Sequence, residues 1–394
     1  MDVALTAKAT LPADGLRGTL VGRVELPVGP AVVAVRKEGV FDLSVIAPTM
    51  TDLLDLEDPV AIAKSEGSFI GALEPILANT AHQTFDPQTP RLLAPIDLQA
   101  IKASGVTFAK SMLERVIEEQ ARGDAAKADT IRKTIVDLIG SDLSQIVPGS
   151  EAAMRLKTHL LDQGAWSQYL EVGIGPDAEI FTKAPPMAAV GTGALIGIRR
   201  DSTWNNPEPE LVVVVNARGE IKGATLGNDV NLRDFEGRSA LLLGKSKDNN
   251  ASTAVGPFIR LLDGTLSLDQ LRNTTITLRV EGEQDGFALD GTNSMREISR
   301  DLTDLVGQTC SANHQYPDGF VLFAGTMFAP IEDRDRPGEG FTHKSGDLVR
   351  IACPELGQLT NRVAFCDEAP AWTFGTSALM KNLAGRGLLS AAKG

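Results

Sequence analysis

The run Leu211-Val212-Val213-Val214-Val215, headed by Pro207-Glu208-Pro209-Glu210, constrains this chain more than any other stretch. A short, unbroken apolar run of this kind reads as a buried β-strand. Glu208 and Glu210 then stand two positions apart at its head, and on a strand both carboxylates project from one face. Two like charges so close together in a partly dry site repel each other strongly unless a cation or a proton lies between them. Asp229, in Gly227-Asn228-Asp229, can return as a third carboxylate after a strand around Ile221 to Leu226. Three oxygen donors with no His or Cys nearby favour Mg²⁺ or Mn²⁺ before Ca²⁺ and argue against zinc. The plain alternative is a solvated strand entry with its charges in water.

The whole chain narrows the classes of function. Its 394 residues, 43% of them hydrophobic, can bury a large core, and length alone suggests two or three domains. A net charge of −13 disfavours nucleic acid and anionic membrane as partners. The three cysteines, Cys310, Cys353 and Cys366, show no Cys-x-x-Cys spacing, which fits free thiols in a reducing cytoplasm. The start, Met1 to Lys8, lacks a charged segment followed by an apolar one, and no apolar run approaches the length of a membrane span. A cytoplasmic protein with neither signal peptide nor membrane span is expected.

Along the chain, Gly18 to Ser44 alternates apolar and polar residues between turns at Pro27-Val28-Gly29-Pro30 and Lys37-Glu38-Gly39, the pattern of short antiparallel strands. Thr51 to Ser65 reads as helix divided at Pro59. Pro87, Pro90 and Pro95 mark a boundary, so a small β-rich lobe is expected over 1–90 and the main domain over 91–394. Helical periodicity runs over Ser111 to Arg122, Ala125 to Ile139 and Ser150 to Gln163, and strands dominate from Leu170 to Phe365. Ser111-Met112-Leu113-Glu114 is, as a local pattern, a capping box.

Asn228-Asp229 with Glu208-Pro209-Glu210, followed by Lys247 ten positions before Pro257 in Gly256-Pro257, resembles the signature of the fumarylacetoacetate hydrolase superfamily. Trp204 to Glu210, Lys247 to Ser252, His314 to Gly319, Gly340 to Lys344 and Trp372 to Gly375 are similar to its sugar-acid dehydratase branch. The resemblance covers about residues 92 to 386 and extends weakly into the first lobe. It implies an α+β fold, a β-rich mixed-sheet roll with a small N-terminal β-rich lobe and a helical insert. It also implies homodimers or homotetramers, and a metal, Mg²⁺ with Mn²⁺ or Ca²⁺ as alternatives, held by Glu208, Glu210 and Asp229.

By the same resemblance Lys247 enters the site, in preference to Lys245, and Thr326 binds the substrate carboxylate, its alternative being a turn residue. Lys183 matches a lysine near the metal, and its alternative is a surface lysine. Hydrolytic relatives carry a histidine where this chain has Ser111, and only the glutamate position, Glu114, is kept. Serine has no pKa near neutrality and cannot replace imidazole as a general base. The expected reaction is therefore dehydration of a 2-keto-3-deoxy sugar acid, first of all 2-keto-3-deoxy-D-xylonate, to 2,5-dioxopentanoate. Lys247, pushed toward its neutral form, is expected to take the C3 proton, and Glu114 to protonate the leaving hydroxyl. Asn249, Ser252 and Ser111 are candidates for substrate binding. Acylpyruvate hydrolysis or oxaloacetate decarboxylation, and a metal-stabilised binding protein without catalysis, are the alternatives. His314, His343 and the tryptophans are expected in packing or surface roles.

Overall fold

The computed structural model describes residues 5–81, 85–108, 112, 146–162, 164, 166–328, 330, 332–335 and 340–389. The helices expected over Ser111 to Arg122 and Ala125 to Ile139 lie outside these residues. Strands of the first part are β1 (Leu20–Leu26), β2 (Gly29–Arg36), β3 (Gly39–Asp42), β4 (Ser68–Gly71), β5 (Arg91–Leu92) and β6 (Ala100–Gly105). They are followed by β7 (Glu179–Ala184), β8 (Leu195–Ile198), β9 (Asn205–Asn206), β10 (Pro209–Val215), β11 (Ile221–Asp229) and β12 (Asn231–Leu232). The last six are β13 (Thr253–Leu261), β14 (Thr275–Glu281), β15 (Ala288–Ser294), β16 (Phe320–Phe323), β17 (Leu348–Cys353) and β18 (Gly357–Phe365).

One large mixed sheet runs in the order β4-β3-β2-β1-β13-β11-β10-β16-β6-β7, and a smaller one in the order β15-β14-β17-β18-β8. The fold is the mixed α+β roll that the sequence pattern implies. The apolar run of β10 explains itself in this setting. Leu211, Val213 and Val215 enter the core between the two sheets, with Leu278 and Val280 of β14 and Ile351 of β17. Val212 and Val214 enter a second core on the other face, beneath Met50, Leu53 and Leu54 of the helix Met50–Asp55. Both faces are covered, so alternation has no place, and each buried valine contributes about 1.5–3 kcal/mol.

That covering helix starts in a Thr49–Asp52 capping box, and Asp58 caps the next one, Pro59–Ser65, with Pro59 at its first turn. The boundary expected near residue 90 is crossed by hydrogen bonds. Strand β1 pairs with β13 at Leu20↔Arg260 and Val21↔Ile259, and β5 pairs with β1. Residues 20–71 thus extend the large sheet rather than forming one of their own. Among the described residues no helix is long and apolar enough to cross a membrane.

Candidate active site

Register brings the carboxylates together. Strands β10 and β11 pair antiparallel at Pro209↔Asn228 and Glu210↔Gly227, and the N–H of Asp229 donates to the carbonyl of Glu208 at 3.0 Å. Asp229 therefore stands opposite Glu208, on the face that Glu208 shares with Glu210. One oxygen from each of the three lies within 4.8 Å of the others, and all three residues are buried. The set holds neither His nor Cys and suits a hard divalent cation.

Two lysines meet this cluster. Lys247, at the end of the helix Leu243–Lys247, places Nζ 2.5 Å from Glu208 Oε2 and 3.0 Å from Asp229 Oδ2. Lys183 Nζ, fully buried, lies 2.9 Å from Asp229 Oδ1 and donates to the carbonyls of Val230 and Lys247. A β-bulge sets this aim: Ile101 pairs with Ala184 but Lys102 with Thr182, so Lys183 is the extra residue and is turned out of the ladder.

Charge and burial compete here. Burial pushes Glu210 well above the usual carboxylate range, and Asp229 and Glu208 push it further, against Lys247 and the N–H of Gly325. Burial likewise raises Glu208, despite Lys247. Burial works to neutralise Lys247, but Asp229, Glu208 and Glu236 overcome it and raise its pKa above that of a free lysine. The carboxylates at 2.5 and 3.0 Å outweigh desolvation and favour the ammonium, so the neutral Lys247 expected beside a cation depends on that cation's charge. Lys183, with Asp229 as its main opposing charge, is lowered by burial. A divalent cation on the three carboxylates offsets the repulsion that raises Glu210, so the residues fit the ion.

Several supports were not read from the sequence. Gly325 donates its N–H to Glu210 Oε2 at 2.7 Å. Asn231 donates to Glu208 Oε1 at 3.0 Å and to Glu236 Oε2 at 2.6 Å, and its own Oδ1 accepts from Ser246 at 2.7 Å. Asn231 stands two positions after Asp229 in the sequence, but its long-range partner Glu208 is set by the fold.

The remaining candidates are placed as follows. Thr326 lines the cleft above the carboxylates, and its hydroxyl accepts from the N–H of Phe328 at 3.1 Å. Ser252 is buried with its hydroxyl bonded to the carbonyl of Lys247 at 2.8 Å, and it also accepts from the N–H of Asn249. Asn249 donates to the carbonyl of Lys245 at 3.0 Å. These two close the end of the lysine helix and do not line the cleft. Ser111 and Glu114 lie outside the described residues. His343 is buried against Asp347 at 3.0 Å, and Arg233 stacks over Trp204 at 4.4 Å.

The model of the fumarylacetoacetate (FAA) hydrolase C-terminal family matches residues 157–364, more than half of the chain. A 2-dehydro-3-deoxy-D-arabinonate dehydratase of Saccharolobus solfataricus is 34% identical over 188 residues, 47% of this chain and 58% of that protein. In that match the chain spans less than two thirds of the relative. A probable 2-keto-3-deoxyxylonate dehydratase of Haloferax volcanii is 29% identical over 61% of this chain and 87% of its own length. Among solved structures, a 2-keto-3-deoxy-D-arabinonate dehydratase complexed with magnesium and 2,5-dioxopentanoate superimposes with a TM-score of 0.61 at 22% identity, covering 88% of this chain and 99% of that one. The last likeness carries the fold.

Proposed function

This chain belongs to the fumarylacetoacetate hydrolase family, and from that premise we propose that it is a hydro-lyase dependent on a divalent cation, removing water from a 2-keto-3-deoxy sugar acid. The observation that carries the reading is the buried trio Glu208, Glu210 and Asp229 with Lys247 set against two of its members. The names of the two relatives favour a five-carbon acid, and we take 2-keto-3-deoxy-D-xylonate as the substrate and 2,5-dioxopentanoate as the product. The magnesium in the similar structure favours Mg²⁺ as the ion.

Glu208, Glu210 and Asp229 would hold the cation. When bound, it supplies the positive charge that acidifies C3 of a 2-keto acid. Gly325 fixes Glu210 through its N–H, and Asn231 fixes Glu208. Lys247 is the group we assign to the C3 proton. Its protonation is set by Glu208 and Asp229, so whatever charge engages those carboxylates frees the amine to accept. Thr326, at the rim of the cleft, is assigned to the substrate carboxylate. Glu114 is assigned to the leaving C4 hydroxyl, which departs as water with that proton. The C3–C4 double bond then shifts so that C5 becomes the aldehyde, and the net change is loss of one water.

The test is direct. Pure protein with Mg²⁺ is given 2-keto-3-deoxypentonate and, separately, an acylpyruvate and oxaloacetate. Formation of 2,5-dioxopentanoate from the first alone is the expected outcome. Faster cleavage of the acylpyruvate, or decarboxylation of oxaloacetate, would replace this reading with hydrolase or decarboxylase activity on the same carboxylates.

A further inference from the structure

Strand β7 sends another charged side chain into the cleft. Glu179 and Phe181 stand two positions apart on it, and both line the cleft with Gly105, Val106 and Thr326. The residues that alternate with them face away: Ile180 packs on the core between the sheets, and Thr182 accepts from Lys102 at 2.9 Å. Glu179 pairs with Gly105 across β6 and β7. Its carboxylate leans over the Gly105 α-carbon, where an added Cβ would lie 1.9 Å from Glu179 Oε2. Only glycine leaves that space. The next residue, Val106, holds a left-handed φ of 53° at the cleft wall.

The other acidic groups of the cleft sit at its floor. Glu208, Glu210 and Asp229 form the cluster, and Glu236 accepts from Asn231. From that floor, β7 runs outward through Lys183 at Asp229 and Phe181, whose ring lies 5.8 Å from Lys247 Nζ, to Glu179. From Phe181, beside Lys247, to Glu179 is two residues of strand, about 6.6 Å, comparable to the roughly 5 Å between C1 and C5 of an extended five-carbon acid. A keto acid held beside Lys247 and lying along β7 would bring its far end to Glu179.

We infer that Glu179 accepts a hydrogen bond from the hydroxyl at the far end of the keto acid, a specificity-determining contact that rests on the keto-acid reading of the site. A carboxylate only accepts, and it prefers a donor hydroxyl to a methyl group, which offers no hydrogen bond. Gly105 is the second half of this device, because any side chain there evicts the carboxylate.

The test uses two ligands without a C4 hydroxyl, 5-hydroxy-2-oxopentanoate and 2-oxopentanoate, so that its outcome does not depend on dehydration. Binding to the Mg²⁺-loaded protein is measured by calorimetry. Wild type should bind the hydroxylated ligand about 10–100-fold more tightly, the usual worth of a hydrogen bond to a charged group. Glu179→Ala should bind both at the weaker affinity, and Glu179→Gln should fall between, with the Mg²⁺-induced rise in melting temperature unchanged in each. A wild type with no preference, or a Glu179→Ala that keeps it, overturns the assignment. Failure of wild type to bind either ligand overturns the keto-acid reading, and this assignment with it. Binding with the expected preference but without turnover of 2-keto-3-deoxypentonate leaves Glu179 in place and overturns the dehydration alone.

Discussion

Gly325 donates its backbone N–H to Glu210 Oε2 at 2.7 Å from just past the end of β16, the strand paired beside β10. Gly325 has φ 90°, and an added Cβ there would lie 2.0 Å from Thr107 Oγ1. Gly325→Ala should therefore lose at least about 1–2 kcal/mol of stability from backbone strain alone. It should also bind Mg²⁺ roughly 10–100-fold more weakly, since the clash with Thr107 displaces the backbone N–H that donates to the carboxylate. Thermal melting with and without Mg²⁺ reads both effects, and an unchanged affinity would show that the bond does not orient Glu210.

With the proposed ion held by the carboxylate cluster, the protein's stability should depend on that ion. Mg²⁺ at a hundred times its dissociation constant should add about 2.7 kcal/mol, and chelator should remove activity reversibly. Glu208→Gln removes one of three anionic ligands and should shift the Mg²⁺ titration to far higher concentration. A melting temperature indifferent to Mg²⁺ and chelator would argue against ion binding by this trio.

In the proposed reaction Lys247 and Glu114 divide the proton transfers, and isotope exchange separates them. Lys247→Met should lower turnover by roughly 10²–10⁴-fold and abolish exchange of the C3 hydrogens with deuterated water. Glu114→Gln should retain that exchange while water loss slows. NMR of recovered substrate gives the answer, and exchange that persists in Lys247→Met assigns the base elsewhere.

Acid should loosen the tie between the first strands and the turn after β13. Asp263 Oδ2 accepts from the N–H of Thr19 at 3.1 Å and from its hydroxyl at 2.6 Å. Burial alone would raise this carboxyl, but the hydrogen bonds from Thr19 and Thr265, with Lys64 nearby, bring its pKa down to about 2. A depressed folded-state pKa gives stability that is present above the unfolded value of about 3.9 and is lost as pH falls through 2. Asp263→Asn should thus be less stable than wild type at pH 7, with the difference closing between about pH 4 and 2 in denaturant titrations. A constant difference across that range would exclude the linkage.

Local pattern carried much of this architecture. The Leu211–Val215 run and the two-residue spacing of Glu208 and Glu210 contain the buried strand and its shared carboxylate face, because a strand's side-chain period is two. Pro59 marks a helix start that the structure shows. What pattern does not carry is set by partners distant in sequence. The Asn231–Glu208 bond, the Gly325–Glu210 bond and the turn of Glu179 over Gly105 depend on registers between strands far apart in the chain. The charge on Lys247 depends on the same kind of contact: burial is visible in a sequence pattern, but the distance to two carboxylates is not. The prolines near residue 90 are a true change of texture, yet no sequence signal shows that β1 will find β13.

Strand β13 belongs to both halves of the molecule. Its first residue, Thr253, pairs with Asp229, and six positions on, Ile259 pairs with Val21. The strand is a beam with the carboxylate trio at one end and the N-terminal strands clamped to the other. Anyone trimming this protein to a smaller catalyst would strip the clamp and leave Phe258, Ile259 and Leu261 along a bare, apolar edge. Such an edge recruits other chains. Strands β1 and β2, which supply none of the three carboxylates, cover that edge.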